Sequence, residues 1–143
     1  MKYSTNIQVK NSGEHFETTA LVGDHVVIFD EPSSHGGTDK APTPHQMLLS
    51  ALGACIAITL RMYADRKQWD LKKIVIYLNM EKVNELSGDA GNPMNDEITK
   101  IYRKVEFGGD LSQEQLKRLE IISNKCPVHK TLTGKILVED FPS

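Results

Sequence analysis

Thr43-Pro44-His45-Gln46-Met47-Leu48-Leu49-Ser50-Ala51-Leu52-Gly53-Ala54-Cys55-Ile56-Ala57-Ile58-Thr59-Leu60 decides the fold. Thr43 is a good N-cap, and Pro44 suits the first helical position, where its missing N–H is one of the unsatisfied donors anyway. A helix is therefore expected from here to about Lys67. Met47, Leu48, Leu49, Ala51, Leu52, Ala54, Ile56, Ala57, Ile58 and Leu60 cover nearly every face of it. A surface helix carries one apolar stripe, so this one must be covered on more than one side. With so little chain to cover it, a second subunit is the natural source of the missing surface. The uncharged run from Gln46 to Leu60 is shorter than the ~20 residues a membrane span needs and contains Ser50, Gly53 and Thr59, so a buried helix is expected and no membrane association.

The rest of the chain alternates. Before the helix, Ile7 and Val9, then Phe16 and Ala20, then Val26 to Phe29 are separated by Asn11-Ser12-Gly13 and Gly23-Asp24, the pattern of a three-stranded antiparallel meander. Asp30 to Thr43, rich in Pro, Gly and Ser, is expected to be a loop. After the helix, Leu71–Val83 and Glu97–Phe107 alternate as a hairpin, with a polar, Gly-rich surface loop from Asn84 to Asp96 between them. Ser112 caps an amphipathic helix carrying Leu116, Leu119 and Ile122, with Glu114 and Glu120 outside, and Lys135–Glu139 has the character of a last strand. The expected order is β-β-β-α-β-β-α-β, an α+β fold in a single domain over residues 1–143.

At 143 residues the chain can bury roughly two thirds of its unfolded surface without a staple. Its net charge of −2 comes from interspersed acids and bases, with no basic stripe, so nucleic acid is not an expected partner. The N-terminus lacks the apolar core of a secretory signal, which points to the cytoplasm, where a static disulfide is unusual.

The two cysteines, Cys55 and Cys126, carry the chemistry. Cys126 precedes Pro127, Val128 and His129, so it falls at or beside the N-cap of a short helical turn. The free N–H groups and positive dipole end there favour thiolate. His129, three residues on, is a candidate base or thiolate partner; equally, Cys126 reads as a small buried residue and His129 as a solvated one. Cys55, between Ala54 and Ile56, reads locally as a packing residue whose burial would raise its pKa. His35 and His45 are the polar groups nearby in sequence. A zinc site from Cys55, Cys126, His129 and His45 is disfavoured, because a lone C-x-x-H lacks its matching half. Tyr63 and Trp69 read as helix-end packing, and His15 and His25 as solvated hairpin residues.

The block from Pro42 to Cys55, the following Thr59-Leu60-Arg61-Met62-Tyr63-Ala64 and the late Cys126-Pro127-Val128-His129, with Asp30-Glu31-Pro32 and Gly36-Gly37 ahead of them, resemble the OsmC/Ohr family of osmotically induced and organic-hydroperoxide-resistance proteins. The resemblance covers nearly the whole chain. It implies an intertwined homodimer whose long central helices pack between sheets built from both subunits. It further implies a peroxidase in which Cys55 attacks the peroxide and becomes a sulfenic acid, and Cys126 resolves it to a disulfide that an external dithiol reductant reopens. The role implied is oxidative stress defence, with organic hydroperoxides as substrates and no metal or organic cofactor. The chain departs from the family pattern at the activating pair. The family's glutamate, ten residues before the first cysteine, is matched by His45, and no arginine precedes Arg61. His45 and His129 are the candidate replacements. The second reading is a dimeric protein that binds a small apolar ligand with little turnover.

Overall fold

The computed structural model describes residues 6–13, 15–87 and 94–142. It divides into two units, residues 1–48 and 49–143.

In the first unit, strands β1 (Ile7–Asn11), β2 (Thr18–Val22) and β3 (His25–Phe29) form the expected antiparallel meander in the order β1-β2-β3. The β2–β3 register pairs Val22 with His25, and Gly23 in the turn adopts φ 60°, a left-handed conformation that glycine takes without steric cost. The loop after β3 is organised by a buried carboxylate. Asp30 accepts hydrogen bonds from the Glu31 N–H (2.7 Å), the Thr38 hydroxyl (2.6 Å) and the Lys40 N–H (3.1 Å). The Thr38 hydroxyl and then the Glu31 N–H hold its pKa down, at about 2, against the opposing effect of burial. Gly37 closes this loop where a Cβ would stand 1.9 Å from the Glu31 carbonyl oxygen.

Helix α1 runs from Pro44 to Lys67, the expected span. Thr43 and Gln46 cap it reciprocally: Thr43 Oγ1 accepts from the Gln46 N–H (3.1 Å), and Gln46 Oε1 accepts from the Thr43 N–H (2.9 Å). In the second unit its stripe of Leu52, Ile56, Leu60 and Ala64, spaced every four residues, lies against a long antiparallel hairpin of β4 (Asp70–Ser87) and β5 (Met94–Asp110). Alternate residues Ile74, Ile76 and Leu78 of β4, and Ile101, Val105 and Phe107 of β5, face this core. Full burial of each large aliphatic side chain contributes about 1.5–3 kcal/mol. Helix α2 (Gln113–Ser123), capped by the Ser112–Gln115 box, adds Leu119 and Ile122, and the short helix α3 (Pro127–Thr133) follows Cys126. Tyr63 and Trp69 pack edge to face with ring centroids 5.5 Å apart, as packing residues should.

The mixed α+β class holds, and two features differ from expectation. The last strand, Lys135–Glu139, is not formed: the chain beyond α3 is irregular, with Val138 95% and Phe141 99% exposed. A strand exists only when another strand satisfies its N–H and C=O groups, and among the described residues none lies beside this segment. The expected loop from Asn84 to Asp96 is shorter, because β4 continues to Ser87 and β5 begins at Met94; residues 88–93 lie outside the described residues. Within the single chain α1 is buried on one face, which leaves the other as the face the sequence reading assigned to a second subunit. Ile58 and Met62, on its other side, are 59% and 67% exposed. By length and composition α1 is long and apolar enough to cross a membrane, and one of its faces contributes to the core of the second unit.

Candidate thiol site

The two cysteines reach one another from different elements. Cys55 sits on α1 directly before the fully buried Ile56, at the edge of the stripe that meets the hairpin, and is half-buried. Cys126 is the N-cap of α3 and is completely buried. Pro127 occupies the first helical position, so the sulfur takes the capping role usually filled by Ser or Asp: Cys126 Sγ accepts the main-chain N–H of His129 at 3.1 Å. Both cysteines are free thiols, and the Cys55 thiol lies within hydrogen-bonding reach of Cys126.

The electrostatics of Cys126 follow from this placement. Burial pushes its pKa above the ordinary value, the His129 N–H pulls it down, and the neighbouring Cys55 thiol pushes it up again, as a like-charged neighbour does when ionised. Burial outweighs the helix N-terminus, so Cys126 rests as a neutral thiol, contrary to the thiolate that the sequence pattern favours.

His129 is brought to the thiols, through its backbone. The group that touches Cys126 is the N–H, and the half-buried residue also lines a cavity of about 190 Å³. His45 is exposed in the first turn of α1. Ten residues of helical rise, roughly 15 Å, separate its backbone from that of Cys55, so α1 does not bring the two together. His35 is likewise exposed and bonds to Ser34. Arg61, the first arginine in the chain, serves the fold: it donates to the Leu71 carbonyl and pairs with Asp65 at 3.6 Å. No cluster of three or more His, Cys, Asp or Glu side chains able to hold a metal ion occurs among the described residues.

Sequence reasoning passed over Arg103. It stands in the inward row of β5, between Ile101 and Val105, and lines the same cavity as His129. Its guanidinium donates to the Ser123 carbonyl (3.1 Å) and to the side-chain oxygen of Asn124, the last groups of α2 before the turn that leads to Cys126. A charge in an otherwise apolar alternating row was the signal that marked it.

A profile of OsmC-like proteins matches residues 37–139, a span that includes both cysteines, His45, Arg103 and His129. The chain belongs to the OsmC-like protein family. Solved structures of the same fold include an OsmC-like protein from Mycoplasma pneumoniae, with a TM-score of 0.67 at 23% identity over 94% of this chain and 90% of that one. A Psychrobacter arcticus protein named for osmotic stress induction and detoxification response gives a TM-score of 0.68 at 20% identity, covering 92% and 90%. An organic hydroperoxide resistance protein of Legionella pneumophila gives 0.62 at 16% identity, covering 92% and 90%. No curated protein sequence matches the chain significantly.

Proposed function

We propose that the protein is a two-cysteine, thiol-dependent peroxidase of the cytoplasm that reduces organic hydroperoxides in oxidative stress defence. The observation that carries this reading is the thiol pair itself. Cys55 is half-buried and accessible to a small molecule, whereas Cys126 is buried behind it within hydrogen-bonding reach. That asymmetry divides the labour. The Cys55 thiolate attacks the terminal oxygen of ROOH; the O–O bond breaks, the alkoxide leaves as ROH after taking a proton, and Cys55 becomes a sulfenic acid. Cys126 then attacks the Cys55 sulfur, the S–O bond breaks, and water leaves with the Cys126 proton as the disulfide forms. An external dithiol restores both thiols by exchange and is itself oxidised to a disulfide. The chemistry uses no metal and no organic cofactor. Structural relatives named as organic hydroperoxide resistance proteins support the substrate class.

The working form in this reading is a homodimer. The exposed outer face of α1, with Ile58 and Met62, and the unpaired apolar tail at Ile136, Leu137 and Val138 call for a cover, and a second copy supplies one of matching chemistry.

A second reading is a dimeric binding protein for a small ligand with little turnover. It is favoured by His45 where the related peroxidases carry a glutamate, and by the lack of any arginine before Arg61. Intact mass after one equivalent of an organic hydroperoxide separates the two. The peroxidase loses two hydrogens rapidly, and Cys126→Ser accumulates a Cys55 sulfenic acid. Thiols that stay reduced while the peroxide persists would overturn the peroxidase in favour of the binding protein.

A further inference from the structure

The cavity of about 190 Å³ in the second unit has two unlike walls. One is apolar, from Leu52 of α1, Ile101 of β5 and Leu132 of α3; the other carries Thr99, Arg103, His129 and Thr133. Neither cysteine lines it, but near neighbours of both do. Leu52 is three residues before Cys55, on the same side of α1, and His129 is three after Cys126 and donates its N–H to that sulfur.

Arg103 is the unusual member. Strand alternation turns it inward with Ile101 and Val105, where a charge is costly unless something compensates it. Its hydrogen-bond partners, the Ser123 carbonyl and the Asn124 side-chain oxygen, are both neutral. No carboxylate pairs with it among the described residues, so the charge of this cavity-lining residue is met by neutral acceptors alone. Two neutral acceptors also leave part of its five-donor fork unused. Thr133 spends its hydroxyl hydrogen on the His129 carbonyl at 2.8 Å, and so keeps lone pairs rather than a donor for a guest. Thr99 adds a second hydroxyl, so Arg103 is the permanently charged residue of the lining, with His129 on the same wall. A cavity of this size holds about six water-sized groups, which is small for a ligand site and fits a short chain with one polar end.

We propose that this cavity binds small organic carboxylates, with the carboxylate on Arg103 and His129 and the short alkyl part against Leu52, Ile101 and Leu132. Taken with the peroxidase reading, on which this extension rests, the preferred substrates are hydroperoxides of small organic acids, anchored by the carboxylate while the peroxide end reaches Cys55. Arg103 is then the specificity-determining residue. It supplies from β5 a cation that the N-terminal strands lack.

The test uses the reduced full-length protein and two probes of matching size, butyrate and butan-1-ol, followed by NMR of side-chain resonances. Butyrate is expected to shift the signals of Leu132 and the His129 ring saturably, and butan-1-ol is not. Arg103→Gln is expected to weaken butyrate binding at least about tenfold, the loss of one charge-assisted contact, whereas Arg103→Lys retains most of it. Asn124→Ala, which removes only a structural partner of Arg103, leaves binding close to wild type. Equal binding of the acid and the alcohol, no shift at the cavity, or an Arg103→Lys variant as defective as Arg103→Gln would overturn the proposal. The wild-type comparison stands even if Arg103→Gln fails to fold. Because binding is read on reduced protein without turnover, failure of the peroxidase reading shows separately, as thiols that a hydroperoxide does not oxidise.

Discussion

The main-chain N–H of His129 points at Sγ of Cys126 from 3.1 Å, so the sulfur proposed to resolve the sulfenic acid is also the cap of the helix that follows it. Redox chemistry and local structure share one atom. When Cys126 enters a disulfide its sulfur becomes a poorer acceptor, and α3, with no buried residue of its own, loses its N-terminal restraint.

That shared role can be measured. Cys126→Ser keeps a capping oxygen and Cys126→Ala removes it, at a cost of about 1 kcal/mol for a lost N-cap. Amide exchange at His129 is expected to be faster in Cys126→Ala than in Cys126→Ser by roughly fivefold, the factor that corresponds to that energy. Equal exchange in the two variants would show that the sulfur does not cap α3.

The burial of Cys126 sets its behaviour with pH. Its folded pKa lies above the ordinary 9.0, so the neutral thiol contributes stability that is fully present below that value and is lost as pH rises toward the folded pKa. Urea melts between neutral pH and pH 10 should show wild type losing stability more steeply than Cys126→Ser. In native protein at neutral pH, iodoacetamide should alkylate Cys55 well before Cys126, read by peptide mass. Simultaneous labelling of both would contradict the burial of Cys126.

Asp30 works in the opposite direction and at the other end of the scale. Held at about 2 by Thr38, Glu31 and Lys40, its carboxylate contributes stability present above the usual 3.8, and that stability is lost as pH falls toward 2. Asp30→Asn is expected to lower the melting temperature at pH 7, to speed amide exchange at Thr38 and Lys40, and to flatten the dependence of stability on pH between 4 and 2. An unchanged acid profile would remove Asp30 from the account.

The outer face of α1 gives the clearest test of assembly. Ile58→Glu and Met62→Glu place charges on a surface that is exposed in the single chain and buried in the proposed dimer. Each is expected to shift a dimeric elution to a monomeric one in light-scattering chromatography at micromolar concentration, without unfolding the second unit. A wild-type protein that elutes as a monomer would refute the dimer outright.

Local physics made much of this protein legible without coordinates. Thr43-Pro44 and Ser112 with Gln115 are caps whose donors and acceptors lie within a few residues, and they start α1 and α2 where expected. Alternation placed the meander and the β4–β5 hairpin for the same reason: strand faces repeat every second residue. Cys126-Pro127 likewise announced a capping cysteine, because proline at the first helical position leaves the preceding residue to cap. What the sequence could not determine depends on partners distant along the chain. Lys135–Glu139 alternates like a strand, yet a strand needs a second one to satisfy its backbone, and none lies beside it among the described residues. The meeting of Cys55 and Cys126, and the raised pKa that reverses the expectation of a thiolate, arise only when α1 and α3 pack together and exclude water. Arg103 shows the division most plainly. Its position in an apolar row was visible in the sequence, but the cavity it faces exists only where α1, β5 and α3 converge, because a cavity is enclosed by elements that local sequence does not connect.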